Sequence, residues 1–180
     1  AINNATAGTI TLNDNTIAEN YSDTAVKLAA ALTGITTHTG TVAITGTPPT
    51  VTQLNTISAA TDGVVTATTS GTAAELALLT TGAADIITLT LTAGAAAATI
   101  DELEAINNAT AGTITLNDNT IAENYTDTAV KLAAALTGIT GHTGDVTLTV
   151  GAAAATIDQL EAINNATAGT ITLNANTIAE

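Results

Sequence analysis

Seven short stretches of the chain alternate between aliphatic and polar positions: GTITL (8–12), GTVAI (40–44), GVVTA (63–67), DIITL (85–89), GTITL (112–116), GDVTL (144–148) and GTITL (169–173). A period of two is the mark of a strand with one face buried. The buried parity carries Ile10/Leu12, Val42/Ile44, Val65/Ala67, Ile87/Leu89, Ile114/Leu116, Val146/Leu148 and Ile171/Leu173. The other parity is mostly threonine: Thr9, Thr11, Thr66, Thr88, Thr113, Thr115, Thr147, Thr170 and Thr172. These threonines are expected to line an exposed sheet face.

Four of the strands follow a second pattern, aliphatics at three-residue steps: Val51/Leu54/Ile57, Ala73/Leu76/Leu79, Ile100/Leu103/Ile106 and Ile157/Leu160/Ile163. Such steps fall on one face of a short helix. TPPT before Val51 and TID before Glu102 read as helix starts. Gly63, Gly112 and Gly169 then read as the turns into the next strand.

Helix, turn and strand thus form a unit, and units of this kind are stacked in repeat proteins. The first inward strand positions lie 32, 23, 22, 27, 32 and 25 residues apart. Both 32-residue spacings carry an extra loop, LNDNTIAENY(S/T)D, followed by the helical TAVKLAAAL. Strands separated by helices pair in parallel with right-handed crossovers. The expected fold class is therefore α/β: a right-handed solenoid with one short helix and one parallel strand per coil of about 22–32 residues. A single parallel sheet with a Thr-rich face is expected. Residues 1–180 read as one continuous segment, with coils near 1–21, 22–46, 47–69, 70–92, 93–125, 126–150 and 151–180, cut mid-repeat at both ends.

The repetition is close to literal. INNATAGTITLN occurs at 2–13, 106–117 and 163–174. Residues 1–40 and 105–144 differ only at Ser22/Thr126 and Thr37/Gly141, and 94–113 and 151–170 only at Glu102/Gln159. With no Phe, Trp, Met or Cys and two tyrosines, the core must come from Ile, Leu, Val and Ala. Such a thin core suits layers that bury a few aliphatics against each neighbour.

The formal charge of −14, with Lys27 and Lys131 the sole positive side chains, disfavours nucleic acid and anionic membrane surfaces. No apolar run is long enough to insert into a membrane.

Stretches such as VTQLNTISAATDGVVTAT (51–68) and ATIDELEAINNATAGTITL (98–116) resemble the Thr/Ala/Gly-rich tandem repeats of giant, cyanobacterial-type bacterial cell-surface proteins. The resemblance covers nearly the whole chain. It implies secretion to the cell surface and a structural or adhesive role. The leucine-rich-repeat signature is absent.

Four features are candidates for chemistry. In-register threonines would form a ladder able to order water, the device of an ice-binding solenoid; equally, Thr is β-branched and solubilises a sheet face. Asp14 and Glu19, repeated as Asp118 and Glu123, are candidate calcium ligands, although no EF-hand or GGxGxD loop is present and Ala175 replaces the aspartate in the last copy. Asn4, Asn108 and Asn165 head NAT glycosylation sequons, and Asn20 and Asn124 head NYS and NYT. His38 and His142 share one phase and read as surface residues in a turn. No triad, phosphate loop or paired catalytic carboxylates are found, so an enzyme is not expected. The expected partners are further copies or neighbouring repeats, with glycans or other cells as the adhesive alternative.

Overall fold

The computed structural model describes residues 10–173. Within them the chain runs α1 (Asp14–Ile17), β1 (Tyr21–Asp23), α2 (Ala25–Leu32), β2 (Val42–Ile44), α3 (Val51–Ser58), β3 (Val65–Gly71), α4 (Ala73–Leu76), β4 (Ile86–Leu91), α5 (Ile100–Asn108), β5 (Ile114–Thr115), α6 (Asp118–Ile121), β6 (Tyr125–Asp127), α7 (Ala129–Leu136), β7 (Val146–Leu148), α8 (Ile157–Ala166) and β8 (Ile171–Thr172). Six of the seven predicted strands form. The first, at 8–12, lies partly outside the described residues, and Ile10–Leu12 is not a strand.

The predicted helices also form, for a local reason beyond their aliphatic spacing. Thr50, Thr72, Thr99 and Thr156 each sit three residues before Gln53, Glu75, Glu102 and Gln159. In every case the threonine Oγ1 accepts the later residue's backbone N–H, and that residue's side chain accepts the threonine N–H. This reciprocal capping satisfies donors that a helix start leaves orphaned. In α4 the cap holds a single turn. Leu79 leaves the helix yet remains buried.

The extra loop does not remain a loop. Asn13 and Asn117 cap the one-turn helices α1 and α6, and the loop ends in a strand of its own, β1 or β6. Tyr21 then aligns with Val42, and Tyr125 with Val146, both in parallel. The long spacing is therefore two strands, the second only 21 residues before the next.

The strands form two sheets rather than the expected one, with orders β1-β2-β3-β4-β5 and β6-β7-β8. The break falls between β5 and β6, which only residues 116–124 separate. A parallel neighbour needs a crossover of about a dozen residues. Nine residues, four of them wound into α6, are too few.

The chain divides into two compact units. Unit 1 comprises Ala1–Ser70, Leu79–Leu89 and Ala109–Gly112; unit 2 comprises Gly71–Leu78, Thr90–Asn108 and Thr113–Glu180. In unit 1, Leu28, Leu32, Ile35, Val42, Ile57 and Val65 form a buried cluster on which Ile10, Leu12 and Tyr21 pack. Its inward row is Tyr21, Val42, Val65, and its outward row is Ser22, Ala43, Thr66. In unit 2, Leu103, Ile106, Leu132, Leu136, Ile139 and Ile163 are almost wholly buried. The inward row there is Tyr125, Val146, Ile171, and the outward row is Thr126, Thr147, Thr172.

Gly63, Gly112 and Gly169 stand in bends just before β3, β5 and β8, and they have a further role there. None of Gly63, Gly112 and Gly169 has a positive φ. Each instead lets one repeat's backbone lie directly on the preceding one. A Cβ on Gly63 would collide with the Gly40 carbonyl, one on Gly169 with the Gly144 carbonyl, and one on Gly112 with the Ile87 carbonyl. Gly40 and Gly144 rest in the same way on Glu19 and Glu123.

Candidate functional site

The outward threonines stand where the alternation puts them. Thr11, Thr66, Thr113, Thr115, Thr170 and Thr172 are exposed, while Thr88 and Thr147 are half-buried. Thr9 lies outside the described residues. Thr126, Thr147 and Thr172 stand in direct register on neighbouring strands. In unit 1 the matching row holds one threonine beside Ser22 and Ala43.

Asp14 and Asp118 are exposed at the first position of α1 and α6, where a carboxylate complements the helix N-terminus. The Glu19 and Glu123 side chains are exposed too, and these residues serve the fold through their backbone carbonyls. Among the described residues no three His, Cys, Asp or Glu are grouped so as to hold a metal ion. Asn108 and Asn165 are exposed near the ends of α5 and α8, and Asn4 lies outside the described residues. Asn20 and Asn124 are structural: their Oδ1 atoms accept the backbone N–H groups of Thr41 and Asp145, at 2.9 and 2.7 Å.

The histidines correct the sequence reading. His38 and His142 have no exposed surface. In unit 1, the His38 ring stacks on Tyr21 at 4.9 Å between centroids and 19° between planes. Its Nε2 donates to the Glu19 carbonyl at 2.7 Å, and its Nδ1 lies 2.8 Å from Thr61 Oγ1. A carbonyl can only accept, so the ring proton of a neutral His38 belongs on Nε2. Thr61 Oγ1 also reaches the Gly40 carbonyl and accepts the Gly63 N–H. One imidazole thus ties three repeats together.

Unit 2 holds the same group. His142 stacks on Tyr125 at 5.2 Å and 22°, and Nε2 donates to the Glu123 carbonyl at 2.8 Å. The difference is at Nδ1, which is buried without a partner, although Thr167 Oγ1 donates to the Gly144 carbonyl as Thr61 Oγ1 does to that of Gly40. The chain's two tyrosines and two histidines are thereby used up as two stacked pairs. The sequence did contain the signal: in both copies the histidine follows the tyrosine by 17 residues. A lone polar residue in a turn otherwise points to solvent.

The tyrosines differ in what they hold. Tyr125 is buried and its hydroxyl donates to the Ala98 carbonyl at 2.8 Å, whereas the half-buried Tyr21 hydroxyl reaches Thr16 O only at 3.5 Å. Burial, with the Glu123 and Glu102 carboxylates adding to it, pushes the Tyr125 phenol above its ordinary pKa and keeps it a donor. Tyr125→Phe is expected to lose about 1 kcal/mol, the usual worth of one buried hydrogen bond, and Tyr21→Phe almost nothing. Urea denaturation of the two variants measures the difference; equal losses would show that the Ala98 bond carries no weight.

A second polar node lies in unit 1. Asp85 is buried, and its Oδ1 accepts the Val65 N–H at 2.7 Å. Its Oδ2 accepts the Ser58 hydroxyl at 2.8 Å and the Gly82 N–H at 2.9 Å. Thr110 does related work, accepting the N–H groups of Ile87 and Gly112. His38, His142, Asp85 and Thr110 each make at least one bond from one repeat to the next. No family model, curated protein or solved structure matches this chain.

Proposed function

We propose that this chain is a structural repeat segment of an extracellular surface protein or self-assembling filament, its helix–strand coils stacked as a solenoid and associating head to tail or side by side. The observation that carries this reading is that the same ring-and-glycine group recurs in both units, with each histidine ring bonded to a carbonyl of the preceding repeat. Polar atoms spent on joining copies of one unit serve length and stiffness. The near-literal repetition supports the same reading, because it offers one surface many times over. The acidic charge favours solubility of such a segment. The resemblance to giant repetitive surface proteins supports a location outside the cell.

Electron microscopy of the purified protein, with calcium and after chelation, tests the proposal. Fibres with a regular axial repeat are the expected result, and their loss on chelation would assign calcium to Asp14, Glu19, Asp118 and Glu123. Isolated particles in both conditions would overturn self-assembly. A second reading, ice binding, draws on the Thr126–Thr147–Thr172 row, and a thermal hysteresis assay decides it.

A further inference from the structure

Pro48 and Pro49 are the chain's two prolines, and they interrupt the repetition. They lie between β2 and α3; the stretch between β7 and α8, TVGAAAAT (149–156), has glycine and alanine instead. Three local features hold the proline stretch in place. Gly46 turns the chain at φ +82°, a conformation that favours glycine. Buried Thr69 in β3 donates its hydroxyl to the Pro49 carbonyl at 2.7 Å. Thr50 closes on Gln53 through the reciprocal cap. The fixed φ of each proline stiffens what these contacts hold.

The stretch so held walls a groove of 400 Å³ on the outward face of β3 and β4, wholly within unit 1. The floor carries Thr66, Thr68, Ile86 and Thr88, and the wall carries Thr47 and Pro48. All but the half-buried Thr88 are exposed. In a chain with 16 carboxylates, none of the lining residues is charged. Asp85, next to Ile86, is buried with both oxygens bonded. In unit 2 the cleft beside residues 149–153 lies against Thr128, Ala129 and Val130, and none of Thr126, Thr147 and Thr172 lines it. The walled threonine groove is therefore a feature of the one stretch that departs from the repeat.

The lining selects among ligands. An ion would find no counter-charge. A peptide strand added to a sheet needs a row of open backbone N–H and C=O groups, whereas this floor is made of side chains standing off the sheet. Ordered water needs a flat open face, which the proline wall closes on one side. Threonine hydroxyls both donate and accept, as sugar hydroxyls do, and the Pro48 ring and the Ile86 side chain offer apolar surface to the C–H faces of a sugar ring. A groove of this volume, held rigid before the ligand arrives, suits a small molecule. We propose that it binds a neutral oligosaccharide, with Thr66, Thr68 and Thr88 exchanging hydrogen bonds with its hydroxyls and Pro48 and Ile86 packing on its rings. The site lies within one unit, so it stands or falls independently of self-assembly.

An array of immobilised neutral, sialylated and sulfated glycans, probed with the full chain, tests the proposal. Neutral glycans should be retained and acidic ones not. The best-retained neutral glycan is then titrated calorimetrically against three variants. Thr66→Val/Thr68→Val keeps β-branched residues on the strand but removes two hydroxyls, and should weaken binding by about tenfold. Thr68→Glu, which puts a charged side chain into the groove, should abolish it. Thr126→Val, the same replacement on the outward face of unit 2, should bind as wild type does. Circular dichroism and thermal unfolding confirm that the variants fold. An array that retains no neutral glycan, or that prefers acidic ones, would overturn the proposal. So would undiminished binding by the groove variants, or a loss in Thr126→Val as large as theirs.

Discussion

Gly63→Ala is expected to lower the stability of the chain by about 3 kcal/mol or more, the upper range for forcing atoms into a packed interior. The methyl group would land inside the van der Waals shell of the Gly40 carbonyl and 2.7 Å from the Thr39 oxygen. These are backbone atoms, so no side-chain rotation relieves the clash. The Gly63 N–H is bonded to Thr61 Oγ1, and Thr61 Oγ1 to the Gly40 carbonyl, so moving apart would also break this bridge. Gly34→Ala is the control. Gly34 has φ +80° and open space around its Cα, so it carries only the left-handed penalty of about 1 kcal/mol. Denaturant midpoints of the two variants, at an unchanged slope, measure the contrast. A Gly63→Ala loss no larger than that of Gly34→Ala would mean that the repeats do not stack this closely.

Asp85→Ala should cost about 3–5 kcal/mol, since truncating one partner strands several buried groups at once. The Val65 N–H would lose its carboxylate acceptor on the buried face of the sheet, and Gly82 and Ser58 would lose theirs in the adjoining turn. Asp85→Asn discriminates between charge and shape. Its single carbonyl oxygen can still accept one N–H, while its amide group faces the other donors, so the loss should fall between wild type and alanine. Equilibrium unfolding of the three proteins gives the order. If asparagine were as costly as alanine, geometry at a single oxygen would not be what matters.

Much of the fold was legible in the sequence because its signals are periodic. Period-two aliphatics located six described strands, and three-residue steps located α3, α4, α5 and α8. The same alternation put the threonines on the outward face. What periodicity could not reach were the features made by one or two residues. Tyr-Ser-Asp and Tyr-Thr-Asp are too short to display a period, so β1 and β6 lay hidden in a stretch that read as an insertion. Missing them also concealed the break between sheets, which depends on how few residues separate β5 from β6. The capping threonines were legible, since T-x-x-E/Q occurs four times at one phase; that pattern explains why helices as short as α4 exist.

The histidines failed for a different reason. Polarity argues for solvent, and only three-dimensional neighbours show that a carbonyl of the preceding repeat and a tyrosine face await the ring. The glycines were legible as turns, but not the reason that only glycine fits, which is the backbone lying directly beneath them.

The stacked rings have a consequence for how this chain finds its native state. Its aliphatic layers are nearly interchangeable, so a strand that docked one layer too early or too late would still bury Ile, Leu or Val, and the hydrophobic gain alone would hardly penalise the mistake. Tyrosine and histidine break that degeneracy. Each Tyr–His pair forms only when the layers meet in the correct sequence, and a histidine enclosed without its tyrosine and its carbonyl would be a buried polar group with nothing to satisfy it. Two pairs of rings thus act as alignment pins, carrying the information that a repetitive sequence otherwise erases.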